Sequence, residues 1–149
     1  MYPKDFFEQQ KISVKNGQCF VLMPFAPNFT EVYEVIKTAI EGPELGFSCD
    51  RADQLFGGGH IISDILRCLA ASEIVIADLT TKNANVFYEL GIAHTVKDMQ
   101  KVLILSQDIN DVPFDLRHLR YIRYLPNQEG LSVLSRAVES RLQTLTAGD

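Results

Sequence analysis

Glu73-Ile-Val-Ile-Ala-Asp78 runs directly into Leu79-Thr-Thr-Lys-Asn-Ala-Asn-Val-Phe-Tyr-Glu-Leu-Gly91, and the reading of this junction decides the fold. Its first half is a continuous apolar run rich in β-branched residues, the pattern of a strand in a parallel sheet covered on both faces. Asp78 therefore falls at a strand's carboxyl end. Asn83 or Asn85 can cap a following helix by accepting a hydrogen bond from an otherwise unpaired N–H of its first turn, which predicts a helix over residues 84–97. Val86, Leu90, Ala93 and Lys97 share one stripe of that helix, with Phe87, Gly91 and His94 beside it.

Glu89 then sits early in an otherwise apolar helix, near Val86, Ile92, Ala93 and Val96. Apolar neighbours push a carboxyl pKa up, while the helix N-terminal dipole and nearby amides favour the ionised form. Those opposed influences suit a reactive carboxylate. Helices also accumulate plain acids in their first turns for the dipole alone, so Glu89 has an ordinary explanation as well.

Outward from the junction the same alternation recurs. Gln18-Cys-Phe-Val-Leu-Met-Pro24 is a first strand stopped by proline, and Asn28 can cap a helix over residues 29–41 that ends at Gly42 and Pro43. A short strand over Leu45 to Asp50, a loop to Gly59 and a helix over His60 to Ala71 come next. After the junction follow a strand from Lys101 to Ser106, a helical turn or so from Pro113 to His118, a strand from Tyr121 to Tyr124 and an amphipathic helix from Glu129 to Leu145.

Five strands alternating with helices through short loops indicate an α/β domain over residues 18–149: a three-layer, flavodoxin-like (Rossmann-like) five-stranded parallel sheet of order 2-1-3-4-5, preceded by an N-terminal extension, residues 1–17. In that order the crevice lies between strands 1 and 3, flanked by the loops Met23 to Asn28 and Asp78 to Asn85. A phosphotransfer receiver shares the order but needs an acidic pair after strand 1, where this chain has Met23 and Pro24.

The composition narrows the function. A length of 149 residues suits one domain with its own core, and 46% hydrophobic with 22% charged residues is ordinary for a globular protein. A net charge of −5 argues against binding a nucleic-acid polymer by phosphate neutralisation. No apolar run reaches membrane-spanning length, and Met-Tyr-Pro-Lys-Asp-Phe-Phe-Glu lacks the features of a secretion signal, so no membrane association and a cytoplasmic location are expected. Cys19, Cys49 and Cys68 lie in apolar patterns and are expected as buried thiols; with scattered His60, His94 and His118 they make no zinc spacing, so neither a metal nor another cofactor is expected.

Around the crevice, Met23, Pro24 and Phe25 form a tight loop whose following N–H groups could receive a phosphate or ribose oxygen. Arg51 and Asp53 could hold a phosphate and a ribose hydroxyl, or simply each other. Gly57-Gly58-Gly59 fits no phosphate-loop signature and reads as flexible chain, and His94, on the apolar stripe, reads as a core histidine.

Phe20-Val-Leu-Met-Pro-Phe25, Arg51-Ala-Asp53, Ala77-Asp-Leu-Thr80, Asn83-Ala-Asn-Val-Phe-Tyr-Glu-Leu-Gly-Ile-Ala-His94 and Val112-Pro-Phe-Asp115 together resemble the nucleoside 2-deoxyribosyltransferase-like superfamily, which includes nucleotide N-glycosidases and, more distantly, TIR-like domains that cleave NAD. The resemblance implies an N-glycosidase in which Glu89 attacks or stabilises the anomeric carbon and Asp78 handles the base or its proton, with Met23, Pro24, Phe25, Arg51, Asp53, Asn83 and Asn85 around the substrate. It implies a nucleoside, nucleotide or NAD as ligand, and a homo-oligomer. Met23 and Phe20 stand where the transferases carry a glycine and a tyrosine, which points away from deoxyribosyl transfer towards glycosidic cleavage or nucleotide binding. The alternative is a non-catalytic TIR-like nucleotide-sensing or protein-interaction module of bacterial defence signalling.

Overall fold

A computed structural model describes residues 2–56 and 62–147. Five parallel strands form one sheet in the order β2-β1-β3-β4-β5: β1 Lys15–Leu22, β2 Ser48–Arg51, β3 Ser72–Asp78, β4 Val102–Ser106 and β5 Tyr121–Arg123. The helices are α1 Pro3–Gln9, α2 Thr30–Glu41, α3 Ala52–Phe56, α4 Ile62–Ala71, α5 Ala84–Val96 and α6 Gln128–Ala147. Gly57, Gly58, Gly59, His60 and Ile61 lie outside the described residues.

Strand β3 explains the layering. Its side chains alternate, so Ile74 and Ile76 pack with Val32, Ile36 and Ile40 of α2 and Leu134, Val138 and Leu142 of α6. Val75 and Ala77 face the other way, onto Ile65 and Leu69 of α4 and Val86, Leu90 and Ala93 of α5. The chain moves from β1 to β2 in one direction and from β2 through β3 to β4 in the other. Crossovers of one hand must then place α2 on one face and α4 and α5 on the opposite one.

Several boundaries differ from the sequence expectation. β1 begins at Lys15, ahead of residue 18, because Gly17 adopts φ +81 at a register shift between Lys15 and Cys19 and donates its N–H to Glu73 Oε1 at 2.8 Å. Asn28 caps nothing: it lies inside a 3-10 turn, Pro27–Phe29, and α2 follows without a side-chain cap. β2 begins at Ser48 rather than Leu45, after a turn through Gly46. At the start of α6 a Cβ on Gly130 would lie 2.1 Å from the Leu125 carbonyl oxygen, so only glycine lets that turn close, and Asn127 Oδ1 accepts the Gly130 N–H at 2.7 Å. The thiols of Cys19 and Cys49 are buried as expected, but Cys68 is only partly so.

The N-terminal segment contains α1, a helix of seven residues, too short to persist alone. It is held by Phe6, which is fully buried and has the Arg67 guanidinium of α4 5.5 Å from its ring centroid. Replacing Phe6 with alanine should cost about 3–5 kcal/mol, as large-to-small changes at buried aromatics do, seen as a lower urea midpoint with an unchanged slope.

Candidate functional site

Beyond Leu22, the last residue of β1, Met23 and Pro24 are buried while Phe25 turns outward and is 51% exposed. Proline ends the strand by removing its N–H donor. Beyond Asp78, the last residue of β3, a 3-10 turn Thr80–Lys82 leads into α5. Thr81 and Lys82 both have positive φ, +70 and +55, unusual for residues with a Cβ and above all for a β-branched one. That turn is held from outside by Asp111 Oδ2, which accepts the Thr81 N–H at 2.9 Å. It delivers Asn83 to the helix start, where Asn83 Oδ1 accepts the Val86 N–H at 3.1 Å, so of the two candidate caps Asn83 performs the task.

The two loops enclose a cleft of about 260 Å³ outside the carboxyl ends of β1 and β3, at the point where the strand order reverses. Met23, Pro24 and Phe25 line one side. Asn83, Asn85, Val86, Tyr88 and Glu89 line the other, and Ile62 and Ile65 of α4 complete it. Glu89 is half-buried in the second turn of α5. The apolar surroundings expected for it are met by Val86 in the cleft wall; Val96 lies at the far end of the helix, against a different depression. Tyr88, Ile62 and Ile65 were not singled out by sequence, although Tyr88 follows as the exposed neighbour of a cleft-lining glutamate.

Asp78 does not line the cleft. It is completely buried, and its Oδ1 accepts the Thr80 N–H at 3.0 Å and the Thr80 hydroxyl at 2.6 Å. Its Oδ2 accepts the hydroxyl of Tyr124, which follows β5 and in turn accepts Gln107 Nε2 at 3.1 Å. The side is set by strand parity: Asp78 alternates in phase with Ile74 and Ile76, towards the α2 and α6 layer that also holds Tyr124, while Glu89 belongs to the α5 layer. That parity was readable in the sequence; the identity of Tyr124 as partner was not. Burial raises the Asp78 pKa above the usual carboxylate range, although the Thr80 and Tyr124 hydrogen bonds pull it down. Burial, and then the charge of Asp78, likewise raise that of Tyr124.

Arg51, 5% exposed, donates from Nε to Asp53 Oδ1 at 2.6 Å and from Nη2 to Oδ2 at 2.8 Å. Its guanidinium lies between the rings of Tyr33, at 4.6 Å, and Phe25, at 5.4 Å, and its Nη1 is buried without a hydrogen-bond partner. Arg51 and Asp53 thus satisfy mainly each other, and they reach the cleft by backing Phe25 rather than by lining it. His94 is half-buried rather than part of the core, with its pKa lowered by burial and its Nε2 buried without a hydrogen-bond partner. Burial pushes the Cys68 thiol up to about 11 and also raises that of Cys19 well above the ordinary thiol value, so neither is a ready nucleophile.

Among the described residues no group of acidic, histidine and cysteine side chains could hold a metal ion, and no helix is long and apolar enough to cross a membrane. No protein-family model matches the chain, and a search of curated proteins finds no match.

The Asp78 network yields a stability prediction whose sign depends on pH. A raised native pKa means the folded protein prefers the protonated acid, so this group's contribution to stability falls as pH rises through the interval above its unfolded value of about 3.9. Tyr124→Phe removes a donor to the charged form and raises the native pKa further. The variant should lose about 1–3 kcal/mol at about pH 7 and distinctly less at about pH 4, measured by urea denaturation at both.

Proposed function

We propose that this chain is a nucleotide- or nucleoside-binding, N-glycosidase-like domain that breaks an N-glycosidic bond through Glu89, acting in the cytoplasm as a homo-oligomer. The observation that carries this reading is the position of Glu89: a half-buried carboxylate in the wall of a cleft at the strand-order reversal, with the amide side chains of Asn83 and Asn85 and the exposed ring of Phe25 around it. Of the stretches that resemble the nucleoside 2-deoxyribosyltransferase-like superfamily, Met23 to Phe25 and the segment from Asn83 to Glu89 supply residues to that cleft.

The chemistry follows from charge. As the bond between the anomeric carbon and the base nitrogen lengthens, its electron pair leaves with the base and positive charge grows on the sugar. Glu89 meets that charge, either as an ion partner or by forming an ester that water then hydrolyses, regenerating the carboxylate and releasing the sugar. The departing nitrogen takes a proton. Since Asp78 has both oxygens engaged in the interior, it acts here as a positioning residue that fixes the end of β3 and the turn before α5. The base proton then comes from solvent in the open cleft or from the Tyr88 hydroxyl on its wall.

One observation favours the second reading, a non-catalytic TIR-like nucleotide-sensing or protein-interaction module of bacterial defence signalling. Glycoside-cleaving sites pair two carboxyl groups across the bond, and of Asp78 and Glu89 only Glu89 lines the cleft. The two readings separate in one experiment. The chain is incubated with nucleosides, nucleotides and NAD and free base is followed by chromatography, alongside thermal melts. The enzyme reading expects base release that Glu89→Gln reduces by roughly three orders of magnitude or more, with ligand-induced stabilisation retained. Turnover undiminished in the variant refutes Glu89's role, and stabilisation without base release supports the sensor.

A further inference from the structure

A second depression lies at the opposite end of the sheet. β4 pairs with β5 only from Ile104 onward, through Ile104 with Tyr121, which leaves Val102 and Leu103 extending beyond the edge strand. A groove of about 430 Å³ opens there. Val102, Ile104 and Leu145 give it an apolar lining. Arg120, from the segment before β5, and Arg141, from the last third of α6, line it as well.

The two arginines are the anomaly. The chain carries a net charge of −5, yet no carboxylate lines this groove, and neither Arg120 nor Arg141 belongs to an ion pair among the described residues. Arg120 is exposed and Arg141 half-buried. Burial and the neighbouring Arg120 charge both act against the protonated form of Arg141. Two like charges thus line one apolar surface with no carboxylate among the described residues to neutralise them, an arrangement that gains from an anion placed between them.

We propose that this groove binds a medium-chain aliphatic carboxylate, its head held by Arg120 and Arg141 and its chain laid along Val102, Ile104 and Leu145. Guanidinium groups match a carboxylate through paired N–H donors. The lining selects the rest of the ligand: apolar walls reward a hydrocarbon chain and cannot offset the dehydration of a doubly charged phosphate. The volume is of the order usual for small-molecule sites, about 300–1,000 Å³. This inference is independent of the Glu89 reading, since the groove shares no residue with that cleft.

The test uses the whole chain and octanoate, titrated calorimetrically and in thermal melts, with octanol, acetate and inorganic phosphate as comparisons. Octanoate is expected to bind and raise Tm, and Arg141→Gln or Arg120→Gln to weaken binding by roughly tenfold or more. Arg120→Gln, at an exposed position, should itself fold with a Tm at least equal to the parent's, because it relieves the repulsion; this keeps the test decisive if Arg141→Gln proves unstable. Amide shifts on binding should map to Val102, Ile104 and Leu145. No octanoate binding, octanol or phosphate binding as tightly, undiminished binding in Arg120→Gln, or shifts centred on Glu89 would each overturn the proposal.

Discussion

Burying β3 on both faces is the constraint from which the rest follows. Four consecutive residues, Ile74 to Ala77, are fully inaccessible to solvent, so each face of the strand needs its own layer of helices, and the chain must pass from one side of the sheet to the other to provide them. That passage is the reversal of strand order at β1. The reversal in turn leaves the carboxyl ends of β1 and β3 without a helix crossing between them, and the cleft occupies the resulting gap.

The same burial gives the two acids of the junction different fates. A carboxyl group at the end of a doubly covered strand has no water, so it must find donors or be destabilising, and Thr80 and Tyr124 supply three of them. Eleven residues later, after a turn strained at Thr81 and Lys82, Glu89 emerges on a helix wall that remains open. One acid ties the distant β5 side of the domain to the end of β3. The other stands half-buried in the cleft wall. Strain at the turn is offset by Asp111 and by the Asn83 cap, both of which pull the backbone in the sense the cleft requires.

Most of the sheet was legible because doubly buried strands and amphipathic helices leave strong periodic patterns. The misses are equally physical. β1 was expected at Gln18 because its first residues are polar and bulged, and a bulge is invisible without its partner strand. Asn28 has the right chemistry for a cap, but the 3-10 turn at Pro27–Phe29 takes the place where that cap would stand. The helix α1 carries too few residues to declare itself and exists because Phe6 finds a pocket supplied by another part of the chain.

The amino-acid sequence by itself determined the strand and helix order, the 2-1-3-4-5 sheet and the placement of Met23 to Phe25 and Asn83 to Glu89 at the switch point, because periodicity, capping and chain direction are local properties. Only the tertiary structure decided that Tyr124 is the partner of Asp78, that Arg51 is spent on Asp53 and two aromatic rings, and that Arg120 and Arg141 line one groove. Each of these joins residues from separate elements, and which side chains meet across a packed layer depends on register and helix placement that no local pattern contains.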